Sequence, residues 1–146
     1  MVSAAPAQKD AGGAAIANTK PVSTKITGDN FALDVASPGC KVDTECPMTI
    51  KLAAQGAWHL NKEYPYKFLA TAAPSITFLG KGDATTFSKQ TGDFVEEGEK
   101  SGTMTVRFKP TKPGDATVSG TYKLSVCSAD QCQIEQAKVS LTIPVM

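Results

Sequence analysis

Four cysteines are the residues of this 146-residue chain with the most chemistry in reach, and they form two close pairs, Cys40 with Cys46 and Cys127 with Cys132. Such pairs can hold zinc, crosslink a fold or trade their bond with another thiol. Zinc sites usually draw on ligand pairs about two to four residues apart; here the gaps hold five residues (Lys41 to Glu45) and four (Ser128 to Gln131). Those spacings favour disulfides. An even count in a small Thr-, Ser- and Gly-rich domain points to an oxidising compartment, periplasmic or otherwise exported.

Four cysteines allow three connectivities. Cys127 ends the alternating run Tyr122 to Val126 and Cys132 begins Cys132-Gln133-Ile134, so Ser128 to Gln131 would connect two neighbouring strands and the thiols can meet across it. Chain entropy gives roughly 2 kcal/mol for so short a loop, against about 4.6 kcal/mol for a Cys46–Cys127 link. That longer link would also reproduce the Cys, Trp, Cys order of an immunoglobulin core through Trp58. Its fit is imperfect, since only 11 residues separate Cys46 from Trp58 and Ser125 stands where a Tyr two positions before the second Cys is expected. Cys40 with Cys46 and Cys127 with Cys132 is the favoured pairing. A bridge at a hairpin mouth is modest as a staple and leaves its sulfurs near the surface, where another protein's thiolate can attack.

The remaining polar residues offer less. The one histidine, His59, lies in Trp58-His59-Leu60-Asn61 with nothing in the sequence linking it to a nucleophile, and a half-buried structural ring is the preferred reading. Copper ligation by His59, Met48 and Met104 lacks any Met-x-x-Met or His-rich cluster. Glu96-Glu97 adjoin Gly98, Glu99 and Lys100, which reads as a solvated loop. The glycines make no phosphate-binding pattern. No metal and no cofactor is expected. With 15 basic and 14 acidic residues and no basic patch, nucleic acid is an unexpected partner, and no apolar run reaches the ~18 residues of a membrane span.

These residues need a frame to position them. Residues 1–21 hold Ala, Gly, Pro and Lys with little that is bulky, which reads as a flexible tail, with room for a membrane tether at its start. From residue 22 to 146 the pattern turns to short runs of period two: Phe31, Leu33, Val35; Met48, Ile50, Leu52; Ile76, Phe78; Met104, Val106, Phe108; Tyr122, Leu124, Val126; Val139, Leu141, Ile143, Val145. Turn residues at Ser37-Pro38-Gly39, Gly80-Lys81-Gly82-Asp83, Gly92-Asp93, Glu97-Gly98 and Lys112-Pro113-Gly114-Asp115 punctuate them. Seven to nine antiparallel strands, each burying one face, predict an all-β, immunoglobulin-like sandwich, with a small barrel as the alternative.

The stretch Gly120-Thr121-Tyr122-Lys123-Leu124-Ser125-Val126-Cys127-Ser128-Ala129-Asp130-Gln131-Cys132-Gln133-Ile134, with the strand after it, resembles the end of the N-terminal periplasmic domain of the thiol:disulfide interchange protein DsbD. Ala57-Trp58-His59-Leu60-Asn61 through Tyr64-Pro65-Tyr66 is similar to an earlier segment of that family, and the likeness covers roughly residues 28 to 145. It implies an immunoglobulin-like sandwich whose Cys127 and Cys132 are the redox pair; the chain is expected to be a monomer. Electrons would pass between a thioredoxin-like domain and periplasmic disulfide-handling proteins, making the chain a component of a protein-disulfide reductase. It also implies an aromatic capping loop, for which Gly80 to Gln90 with Phe87 is the nearest match. Cys40 and Cys46 are additional and would be a structural bridge.

The alternative is a non-catalytic envelope binding or scaffold domain with two structural disulfides. Along the sequence, Asp130 lies between the late cysteines and Glu135 follows, with Lys123 the nearest cation. Negative neighbours raise a thiol pKa, so a free pair is expected to react slowly outside a partner complex.

Overall fold

The computed structural model describes residues 20–146. Of the expected tail only Lys20 and Pro21 fall among them, both exposed; the rest lies outside the described residues. Eleven strands follow: β1 (Val22–Thr27), β2 (Phe31–Ser37), β3 (Cys46–Ala54), β4 (His59–Leu60), β5 (Lys67–Ala70), β6 (Ile76–Phe78), β7 (Thr86–Ser88), β8 (Phe94–Glu96), β9 (Ser101–Pro110), β10 (Gly114–Cys127) and β11 (Cys132–Val145).

Alternation in the sequence becomes alternation in burial, because successive side chains of a strand point to opposite faces of the sheet. Leu33, Val35, Met48, Ile50, Leu52, Met104, Val106 and Phe108 are wholly buried on one sheet, and Phe68, Phe87, Tyr122, Leu124, Val126 and Ile143 on the other. The first sheet runs β1-β2-β3-β9-β6 with β8 also on β9; the second runs β11-β10-β5-β7 with β4 also on β10. All these pairings are antiparallel. Taken as A-B-E against G-F-C, the orders β2-β3-β9 and β11-β10-β5 are those of an immunoglobulin-like sandwich, with β6 and β7 added at the far edges of the two sheets.

Two glycines are required by this arrangement. Gly114 opens β10 at φ 106°, a left-handed conformation that side chains disfavour. Gly120 sits opposite Ala70, and a Cβ there would lie 2.6 Å from Cζ of Phe68, so the close approach of β5 to β10 depends on its absence.

The longest element pair is the β10–β11 hairpin, in register from Gly114 with Val145 to Cys127 with Cys132. Fourteen residues at about 3.3 Å each carry it along the whole sandwich. Its two ends are therefore far apart, and each holds one disulfide.

Around β8, the buried carboxylate of Asp93 accepts from the Thr91 hydroxyl at 2.6 Å, from the Ser88 N–H at 3.1 Å and from Arg107 at 3.3 Å. This cluster fixes the start of β8, and the turn from β8 into β9 then reaches the hairpin end.

Candidate functional site

Cys40 is bonded to Cys46 and Cys127 to Cys132. Two disulfides mark a chain that folds in an oxidising compartment. Their surroundings differ sharply. Cys40 and Cys46 are 0% and 1% exposed. The Cys40 N–H donates to the Pro144 carbonyl at 3.1 Å and the Cys40 carbonyl accepts from Met146 at 2.9 Å, which lays the β2–β3 connection against the last residues of the chain. This bond is enclosed by backbone on the side of the core.

The second bond closes the opposite end. Cys127 and Cys132 face each other in register, their Cα atoms 3.9 Å apart, and the four residues between them turn tightly, with the Ser128 N–H donating to the Gln131 carbonyl at 2.7 Å. The Ser128 hydroxyl oxygen also accepts from the N–H groups of Asp130 and Gln131. Cys127 is 6% exposed, whereas Cys132 is open to solvent.

On the other side of β10, the two-residue strand β4 pairs His59 with Cys127 and Leu60 with Val126. Val126 and Leu60 are buried between the sheets, so Cys127 and His59 share the outer face. Directly opposed residues of antiparallel strands place their Cβ atoms about 4.5–5.5 Å apart. His59, Cys127 and Cys132 thus form one row across three strands. Ile134, two residues beyond Cys132 and 68% exposed, lies on the same face. Beside the row is an open cavity of about 280 Å³, bordered by His59, Asn61, Lys62, Glu63, Glu99 and Cys127.

Several contacts fix β4. The Leu60 N–H donates to the Glu99 carbonyl at 2.8 Å, and Lys100 Nζ donates to the Gly56 carbonyl. Buried Tyr66, stacked on Phe94 at 4.5 Å, accepts from the Asn61 N–H at 2.9 Å and donates to the Ser125 carbonyl at 2.5 Å, joining the β4 segment to β10. Across the sheets, Asn30 donates to Gln133 at 2.8 Å.

Burial pushes the Tyr66 hydroxyl up to about 12, with the Asn61 bond acting against it and Glu96 adding to it. Burial likewise raises Tyr122 well above the usual range. A raised tyrosine pKa means that stability is complete below the unfolded-state value near 10 and is lost as pH rises from there towards the folded value. Tyr66→Phe removes both hydroxyl bonds and is expected to cost about 1–2 kcal/mol at neutral pH. It should also shrink the loss of stability between pH 10 and 12. Urea unfolding at pH 7, 10 and 11.5 measures both.

Several expectations need correction. Phe87 is no cap: it is wholly buried on β7, paired with Phe68 and edge-on to Phe78 at 6.4 Å, because the segment expected to be a loop contributes a strand to the core. Tyr122 points inward on β10, away from the outward-facing Cys127, since an odd number of positions separates them. Its hydroxyl is buried with no protein hydrogen-bond partner. Asp130 sits exposed in the hairpin turn.

His59 is exposed instead of half-buried, its Nδ1 3.0 Å from the Leu60 carbonyl. The surroundings of the late cysteines read along the chain are incomplete, since β4 brings the His59 imidazole in from elsewhere. Glu96 pairs with Lys89 at 3.6 Å instead of lying in a free loop, while Glu97 accepts from the Thr103 hydroxyl at 3.0 Å. Trp58, partly buried against the core, packs in a sandwich without a Cys46–Cys127 pin. What sequence reading missed was the partner of the strand-like segment around His59, because the β4–β10 pairing joins residues far apart in the chain.

Among the described residues no three His, Cys, Asp or Glu side chains are grouped to hold a metal ion, and no helix is long and apolar enough to cross a membrane. Fold and site together define an immunoglobulin-like sandwich domain with one enclosed and one solvent-facing disulfide. No protein-family model matches the chain. No curated protein matches it either. Among solved structures it is similar to AggA, the major subunit of aggregative adherence fimbriae type I from Escherichia coli, at 12% identity and a TM-score of 0.39, over 83% of this chain and 98% of that one.

Proposed function

We propose that the chain is a non-catalytic binding or scaffold domain of the cell envelope, held rigid by two structural disulfides. The observation that carries this reading is the placement of the bonds: one at each end of the sandwich, each closing a short local loop. Crosslinks so placed fix the loop ends of the frame while leaving its outer faces free for contact with other envelope proteins.

A second reading is favoured by the exposure of Cys132 and by the open cavity that borders its bonded partner Cys127. In it the domain is a thiol-disulfide exchange module, as the resemblance to the DsbD N-terminal domain implies. A thioredoxin-like or other disulfide-handling partner supplies a thiolate that attacks the exposed Cys132 sulfur, and the Cys127 sulfur leaves as thiolate. A second partner thiolate then attacks the partner's sulfur in the mixed disulfide and releases Cys132. The partner is oxidised by two electrons and the pair is reduced by two.

A redox titration with mass-spectrometric mapping separates the two readings. Structural bonds lie below about −300 mV and exchanging ones above it. The scaffold reading expects both bonds below that bound; a Cys127–Cys132 value well above it overturns that reading in favour of exchange.

A further inference from the structure

We infer that His59 governs the reactivity of the Cys127 sulfur, as a positioning residue acting on the thiolate that forms when the Cys127–Cys132 bond opens. The inference rests on the exchange reading. Its basis is the row His59–Cys127–Cys132, in which β4 holds an imidazole directly across from the less exposed of the two sulfurs.

The order of events follows from exposure. An incoming thiolate reaches Cys132 from solvent along the axis of the sulfur bond, so the negative charge appears on Cys127, next to His59. A protonated imidazole beside a thiolate stabilises it and lowers the thiol pKa, and a leaving thiol of lower pKa departs faster. His59 is fixed for this by backbone pairing on both sides of its residue: its strand is held to β10 and, through Leu60, to the β8–β9 turn. The ring itself remains exposed, so it can exchange its proton with water.

Other charges face the same place. Glu99 from the β8–β9 turn, and Lys62 and Glu63 from the segment after β4, border the cavity, and Asp130 lies in the hairpin turn. Three carboxylates against one ammonium oppose a thiolate at this place. Without His59, that balance would leave Cys127 in a net negative setting.

The test uses the full chain with Cys132→Ser, leaving Cys127 as the one free thiol and Cys40–Cys46 intact. Thiolate absorbance near 240 nm, followed against pH, reports the Cys127 pKa with His59, with His59→Asn and with His59→Lys. The expected result is a pKa raised by about one unit in His59→Asn and restored towards the original value in His59→Lys, since lysine returns the positive charge. In the protein with all four cysteines, reduced glutathione should then open Cys127–Cys132 about threefold more slowly in His59→Asn at pH 7, the change expected per unit of leaving-group pKa.

An unchanged pKa and an unchanged rate, with glutathione still opening the bond, overturn the role of His59 and leave exchange standing. A bond that glutathione does not open in any of the proteins ends the exchange reading itself. His59 is exposed, so the substitutions are expected to leave the fold intact, which the unfolding midpoint verifies.

Discussion

Phe68→Ala is expected to lower the unfolding free energy by about 3–5 kcal/mol, enough to remove a large part of the stability of a domain of this size. Phe68 stands between Phe87 and Tyr122 in one row across β7, β5 and β10, and all three are wholly buried. Truncation there removes buried apolar area and leaves a cavity. Its surroundings are poorly able to collapse into the gap. Gly120, whose missing side chain makes room for the Phe68 ring, has nothing to move inward, and Phe87 is held edge-on to Phe78. Urea unfolding should show a lower midpoint with an unchanged slope. As a comparison, Val95→Ala, at a side chain 59% exposed, should change stability by no more than about 0.5 kcal/mol. A loss below about 1 kcal/mol at Phe68 would mean that the two sheets do not close their core around this row.

The sandwich was legible because its longer strands each bury one face. Met48, Ile50 and Leu52, or Met104, Val106 and Phe108, alternate cleanly with polar residues, and every one of these six is wholly buried. Period two is visible when a strand is long enough to repeat. It is invisible in β7 and β8, three residues each, where no two apolar side chains alternate as Ile76 and Phe78 do in β6. Phe87 was misplaced for that reason: with glycines and polar residues around it, Thr86–Ser88 looks like loop, and only pairing with Lys67, Phe68 and Leu69 makes it core.

The site was legible in part. The turn between Cys127 and Cys132 is local, so its strand-turn-strand pattern lies in consecutive residues. What stands beside the bond is not local. His59 reaches Cys127 through a short strand, and Glu99 reaches the same cavity through the β8–β9 turn. The thiol environment drawn from neighbours along the chain therefore counted Asp130 and omitted the imidazole across the sheet. Proximity in the fold, unlike proximity in sequence, sets the field a sulfur feels.

The contrast between the two disulfides underlies the exchange reading of this domain, and its kinetic consequence is large. A small thiol can meet Cys132 without any change in the fold, because that residue faces solvent. Cys40 and Cys46, at 0% and 1% exposure, are reached only when the β2–β3 connection and the chain's last residues come apart. Such an opening costs anything up to the global unfolding free energy, and each 1.4 kcal/mol or so of it slows attack about tenfold. A cost of only about 3 kcal/mol already separates the two rates by about a hundredfold.

Timed treatment of the folded protein with dithiothreitol at neutral pH, followed by alkylation and peptide mass spectrometry, reads both bonds in one experiment. Cys127 and Cys132 should be labelled at least about a hundred times faster than Cys40 and Cys46, with the gap closing in denaturant. Equal rates in the folded protein, or earlier labelling of Cys40 and Cys46, would contradict the account.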